Sequence, residues 1–146
     1  MNNLPHSTPN ILLVDDNHDG LLVRRSLLEE IGCSVQIAIN GEEGLKLFQA
    51  CKFDVVVTDY RMPRMNGGEL IQRIRLLDPS MRIILLSGFV EPLGLTEQNT
   101  GADAVLLKSS NEPAHLLRTV KRLLNRAVRK PPGSQKADRA RAAIGQ

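Results

Sequence analysis

Apolar residues in this chain fall into short continuous runs separated by longer stretches with helical spacing. Asn10-Ile11-Leu12-Leu13-Val14 is the first run, and it stops at Asp15-Asp16. A run of this kind, bounded by polar residues, predicts a strand buried on both faces. From His18 to Ile31 the positions Leu21, Leu28 and Ile31, supported by Val23 and Leu27, recur at helical spacing, and Gly32 stands where a C-terminal cap is expected. A short strand is predicted over residues 34–39. Asn40-Gly41-Glu42-Glu43 has the form of a capping box, with Asn40 at the N-cap and Glu43 at N3, and opens a helix that carries Leu45 and Phe48 inward.

The run Asp54-Val55-Val56-Val57-Thr58-Asp59 again ends at a carboxylate, and Tyr60-Arg61-Met62-Pro63-Arg64-Met65-Asn66-Gly67 follows as a loop. Leu70, Ile71, Ile74 and Leu77 mark one face of the next helix, which Asp78-Pro79 ends. Arg82-Ile83-Ile84-Leu85-Leu86-Ser87-Gly88 is a strand that ends at a hydroxyl. Between Glu91 and Thr100 the apolar face is thin, and Pro92 and Gly94 sit in the first turns, so a short or mobile helix is expected. Residues 102–107 predict a strand ending at Lys108. A last helix runs from Glu112 to about Val128, with Leu116, Leu117, Val120, Leu123, Leu124 and Ala127 inward and Arg118, Lys121 and Arg122 outward. Pro131-Pro132-Gly133-Ser134 breaks it.

Five strands alternating with five helical segments through short links predict a doubly wound α/β domain around a parallel sheet. Right-handed crossovers place every strand's carboxyl end on one side. Asp15, Asp16, Asp59, Ser87 and Lys108 then share one rim, where open α/β sheets build their sites.

Composition narrows the class. A chain of 146 residues, 42% hydrophobic and 24% charged, has the make-up of one soluble globular domain with a proper core. No apolar stretch is long enough to span a bilayer, and the N-terminus lacks a basic and an apolar signal region, so a cytoplasmic protein without membrane contact is expected. Cys33 and Cys51 form no metal-binding or redox motif and read as reduced thiols. The net charge of +3 is uneven: from Arg126 onward six basic residues face Asp138, a local +5, which leaves about −2 for the rest. The division expected is a disordered segment over 1–9, a folded domain over 10–128 and a basic disordered tail or linker over 129–146. That tail could contact nucleic acid nonspecifically, but the chain offers no recognition helix or aromatic interleaving, so specific DNA binding is not expected.

The rim carries the candidate chemistry. One aspartate at a strand end can simply cap a turn, and one lysine can simply be solvated, but neither role calls for acids, a hydroxyl and an amine together. Three crowded carboxylates repel one another, and a hard divalent cation relieves this; Mg²⁺ suits a few carboxylates, a backbone carbonyl and retained water. The acid at the strand end, Asp59, can then attack phosphorus. An ammonium and a hydroxyl, of the types Lys108 and Ser87 supply, would meet the charge that builds on the transferring oxygens. His18, with no second His or Cys beside it, reads as a solvated loop residue.

Four segments carry a family resemblance over nearly all of residues 10–126: Val14-Asp15-Asp16, Asp59-Tyr60-Arg61-Met62-Pro63-Arg64-Met65-Asn66-Gly67, Leu86-Ser87-Gly88, and Gly101-Ala102-Asp103 leading to Lys108. In these the chain resembles the receiver domains of two-component response regulators, the CheY-like (flavodoxin-like) (βα)5 fold. The resemblance implies a five-stranded parallel sheet of order 2-1-3-4-5 with helices on both faces. It also implies a phosphoryl group accepted by Asp59 from a phosphohistidine on a histidine kinase or phosphotransfer protein. By the same resemblance Asp16, Asp59 and the Arg61 carbonyl would hold Mg²⁺ directly, Asp15 would help through water, Ser87 would move toward the phosphoryl group, and Lys108 would pair with it. Output would pass to a protein target through the last two helical segments and the fifth strand.

Two departures stand out. The family usually has a cis proline after the lysine, where this chain has Ser109-Ser110; a non-proline cis bond costs roughly 3 to 4 kcal/mol, so a trans bond or a rearranged loop is expected. Three residues before Lys108, where the family places Tyr or Phe, stands Val105, and Phe89 is the nearby aromatic that could substitute. These departures favour a rival, a degenerate receiver acting as a constitutive docking module. A second rival is a Mg²⁺-dependent phosphohydrolase with Asp59 as nucleophile, for which the sequence offers neither a general acid nor a substrate pocket.

Overall fold

The computed structural model describes residues 8–88 and 93–126. Its elements alternate in order: β1 (Asn10–Val14), α1 (His18–Glu30), β2 (Ser34–Ala38), α2 (Gly41–Ala50), β3 (Val55–Asp59), α3 (Gly67–Leu77), β4 (Arg82–Ser87), α4 (Glu97–Thr100), β5 (Ala104–Leu107) and α5 (Glu112–Asn125). All strand pairs are parallel, and the order across the sheet is β2-β1-β3-β4-β5, as the resemblance implies.

Alternation along the strands feeds two cores. Ile11, Leu13, Val55, Val57, Ile84, Leu86 and Leu106 face Leu21 and Leu28 of α1 and Leu116, Val120 and Leu123 of α5. Leu12, Val14, Val56, Ile83 and Leu85 face Leu70, Ile71 and Ile74 of α3, with Leu45 and Phe48 of α2 partly buried at the edge. Full burial of one such side chain is worth roughly 2 kcal/mol, so the central strands β1, β3 and β4, covered on both faces, anchor the domain. Register then sets the rim: Val14 lies opposite Thr58, Asp59 opposite Leu86, and Ser87 opposite Leu107, so the four strand ends finish level.

Several element ends differ from the sequence expectation. β2 stops at Ala38, leaving Ile39 exposed, and the Glu43 carboxylate accepts the Ile39 N–H at 2.9 Å, so the capping box at Asn40 is only half formed. Leu77 is exposed at the end of α3, beside the turn into β4. β5 begins at Ala104, because Asp103 takes up the edge with its side chain: its Oδ2 accepts the Ile83 N–H at 2.8 Å and the Arg75 guanidinium at 3.0 Å. α4 is a single turn, opened by the Thr96/Asn99 capping box and closed by Gly101 at a φ of 81°. α5 ends at Asn125; Ala127, Val128 and the tail lie outside the described residues, as do residues 1–7 of the N-terminal segment. Cys33 and Cys51 are free thiols. No helix among the described residues is long and apolar enough to cross a membrane.

The start of α3 fits tightly against the end of β3. The Gly67 N–H donates to the Tyr60 carbonyl at 2.8 Å, and a Cβ on Gly67 would lie 2.3 Å from the Asp59 carbonyl oxygen. Backbone cannot yield as a flexible side chain can. Gly67→Ala is therefore expected to destabilise the fold by about 2–3 kcal/mol. Urea denaturation checks this, and an unchanged midpoint would mean that α3 can withdraw from β3 without loss.

Candidate functional site

The rim at the carboxyl ends of the strands gathers the acids. Asp15, just past β1, is 2% exposed, and its N–H still donates to the Ala38 carbonyl, extending the sheet by one residue. Asp16 faces solvent, and Asp59, the last residue of β3, is 5% exposed. One carboxylate oxygen from each of Asp15, Asp16 and Asp59 lies within 4.8 Å of the others.

Lys108 enters from β5. Its backbone N–H donates to the Ser87 carbonyl at 2.9 Å, and its Nζ lies 2.9 Å from Asp59 Oδ1 and 3.0 Å from Asp15 Oδ2. The Lys108–Ser109 bond is trans, as are all peptide bonds among the described residues. Ser87 is buried at the end of β4, one position beyond the residue that pairs with Asp59. Arg61 is exposed two residues past Asp59, and with Asp16, Tyr60, Met62, Pro63 and Asn66 it lines a shallow depression beside the acids. Arg64, at a φ of 69°, reverses that loop, and the Asn66/Glu69 capping box starts α3 behind it. Val105 is half-buried and packs on the α2/α3 side of the sheet, while Phe89 lies outside the described residues. His18 is exposed, as are Arg118, Lys121 and Arg122.

Two residues escaped the sequence reading. Arg24, on α1, donates through Nη1 to Asp15 Oδ2 at 3.2 Å and through Nη2 to Glu112 Oε1 at 2.8 Å. Glu112, at the start of α5, is 5% exposed. The one sequence signal was Gly20, one turn before Arg24 and costly inside a helix. A Cβ there would lie 2.9 Å from the Arg24 guanidinium.

Charge at the site is balanced unevenly. Burial pushes the Asp59 carboxyl above its ordinary value; the Lys108 hydrogen bond pulls it down, and the charges of Asp15 and Asp16 push it up again. Burial alone would lower Lys108, but the Asp59 hydrogen bond and the charges of Asp59 and Asp15 outweigh it and hold the ammonium above its ordinary value. Arg24 is raised in the same way: burial works against its charge, and Glu112, Asp15 and Asp59 outweigh burial. The cluster thus retains a fixed ammonium and guanidinium beside an acid whose ionisation the fold disfavours.

Residues 11–121 match the response regulator receiver domain family. The chain belongs to that family. The receiver is 34% identical to the response regulator TrrA of Thermotoga maritima, solved in complex with Mg²⁺ and BeF, with a TM-score of 0.73 over 80% of this chain and 99% of that one. It is 39% identical over 79 residues to a response regulator receiver protein of Anaeromyxobacter, a match covering 54% of this chain and 33% of that protein. It is 31% identical over 114 residues to the aerobic respiration control sensor protein ArcB of Escherichia coli, covering 76% of this chain and 15% of ArcB. The receiver therefore spans a third or less of these two curated relatives.

A raised Asp59 value means that the folded state holds the Asp59 proton more tightly than the unfolded chain does, so ionised Asp59 costs stability at neutral pH. Without metal, Asp59→Asn is expected to raise the urea midpoint at pH 7. The gain should shrink as pH falls through the raised folded value and vanish below the ordinary aspartate range, where the wild-type acid is protonated in both states. Denaturation from pH 3 to 8 checks this, and a lower midpoint for the variant at pH 7 would contradict it.

Proposed function

We propose that this receiver accepts a phosphoryl group on Asp59 from a phosphohistidine of a sensor histidine kinase or phosphotransfer protein, and that a protein partner reads the change. The observation that carries this is the buried Asp59 carboxylate with an ammonium at 2.9 Å and two further acids within 4.8 Å. The Thermotoga relative, whose complex holds Mg²⁺ and BeF, supports the same reading.

The donor set fits Mg²⁺. Asp15 already accepts hydrogen bonds from the Asn17 N–H at 3.0 Å, from Arg24 and from Lys108, which leaves it little capacity for direct ligation and suits a contact through water. Asp16, Asp59 and the Arg61 carbonyl would then hold the ion directly. When bound, the ion supplies positive charge to the transferring phosphoryl oxygens.

The protein's own residues do the rest. An oxygen of Asp59 attacks phosphorus in line as the P–N bond to the histidine breaks, and the electron pair leaves with the imidazole. Lys108, held over Asp59 by the β4–β5 pairing, donates to an oxygen of the transferred group, and Ser87 donates from the neighbouring strand end. The product is an acyl phosphate with one more negative charge than the carboxylate. The receiver works on no external substrate; it turns over only its own phosphoryl group, in the cytoplasm. Its output face is α4, β5 and α5, where Leu107 is exposed beside Lys108.

Incubation with a phosphorylated kinase and Mg²⁺ is expected to label the wild type and not Asp59→Asn; equal labelling of both would dispose of the assignment. Lys108→Ala should keep Asp59 as the labelled residue while slowing transfer about 100-fold, measured with a small phosphodonor.

A further inference from the structure

The Arg24–Glu112 pair reaches the acids through Asp15, makes no ion pair with Asp59, and is set deep, with side chains 12% and 5% exposed. Buried ion pairs are a weak means of gaining stability, because desolvation offsets their attraction. Their placement here closes a circuit. Lys108 Nζ and Arg24 Nη1 both donate to the same oxygen, Asp15 Oδ2. The other side of the Arg24 guanidinium forks onto Glu112, with Nε at 3.2 and 3.3 Å and Nη2 at 2.8 Å. Glu112 leads back to Lys108 through only Ser109, Ser110 and Asn111, with its N–H donating to the Ser109 carbonyl at 3.0 Å. Both ends of the β5–α5 loop are thus gripped from β1 and α1.

We infer that Arg24 and Glu112 are positioning residues for Lys108: they clamp the Ser109-Ser110 loop that carries the ammonium, and so aim Nζ at Asp59. A flexible lysine on a serine loop has no aim of its own, whereas the rigid planar fork of Arg24 sets Nη1 on Asp15 and Nε with Nη2 on Glu112. Gly20 belongs to the device. An alanine would favour the helix, but its Cβ would sit 2.9 Å from Arg24 Nη1, so glycine keeps open the space through which Arg24 reaches Asp15.

This inference rests on the phosphoacceptor reading, and the test separates the two. Calorimetry measures Mg²⁺ affinity alone, then the affinity for beryllofluoride, a phosphoryl mimic, in saturating Mg²⁺. Arg24→Lys keeps the charge but replaces the two-sided fork with a single point donor. It is expected to weaken beryllofluoride binding about tenfold while moving Mg²⁺ affinity less than about threefold, since the ion does not bind through Lys108. In a Lys108→Ala background the same change should cost no further beryllofluoride affinity, because Arg24 acts through the missing amine. Gly20→Ala, which alters no charge and adds a better helix former, should show the same split, and decides the matter should Arg24→Lys fail to fold. Equal loss in both backgrounds, parallel loss of both affinities, or wild-type beryllofluoride affinity in both variants would overturn the clamp alone. A wild type that binds no beryllofluoride would overturn the phosphoacceptor reading and the clamp with it.

Discussion

Repulsion among Asp15, Asp16 and Asp59 is the constraint around which this receiver is arranged. Two of the three are nearly inaccessible to water, where unit charges a few ångströms apart interact far more strongly than in bulk solvent. The sheet brings them together regardless, because β1 and β3 are neighbours, covered on both faces and aligned so that their ends finish level. Fixed cations reduce the conflict without removing it. Lys108 meets two of the acids, and Arg24 meets one of them while Glu112 offsets its charge. With Arg24 and Glu112 cancelling, three acids against one lysine leave two negative charges, which one divalent cation would neutralise.

That balance explains why the acids play different parts despite identical chemistry. Asp15 is consumed by neighbours: a backbone amide, a guanidinium and an ammonium occupy its oxygens. Asp16 is open to solvent. Asp59 lies between, buried enough that its ionisation is disfavoured yet held chiefly by one strong partner among the described residues. An acid whose oxygens are fully engaged suits a scaffold; one that is poorly solvated and lightly engaged suits a nucleophile. Position on the rim, not residue type, separates these roles.

The alternating elements and the rim were readable from local pattern, whereas the sheet order came from the family resemblance. β1, β3, β4 and β5 are largely apolar runs that lead to an acid, an acid, a hydroxyl and an amine, and crossover handedness carries those ends to one side. What escaped was set by tertiary contact. Arg24 and Glu112 are 88 residues apart, and each has a plain local reading, one as a polar residue on a helix and the other as a helix start. Leu77 fits the apolar period of α3 but is exposed at its end. Asp103 looked like an interior strand residue, yet its side chain replaces a ladder contact and engages Arg75. Arg24, Glu112 and Asp103 each meet a partner distant in sequence, and Leu77 lies where its helix leaves the core; periodicity registers neither.

The run Val55-Val56-Val57 has a consequence for folding. Both cores receive valine from β3, so sliding the strand by one residue would exchange valine for valine at two of the three positions, and the middle of the oily layers discriminates little. Alignment is then set from the strand's polar ends: a slip would drive Asp54 or Thr58 into a buried valine place, carry Asp59 about 3.3 Å from the amine that meets it and part Tyr60 from Gly67. The Asp59 carboxylate is thus also a peg that tells its own strand where to stop.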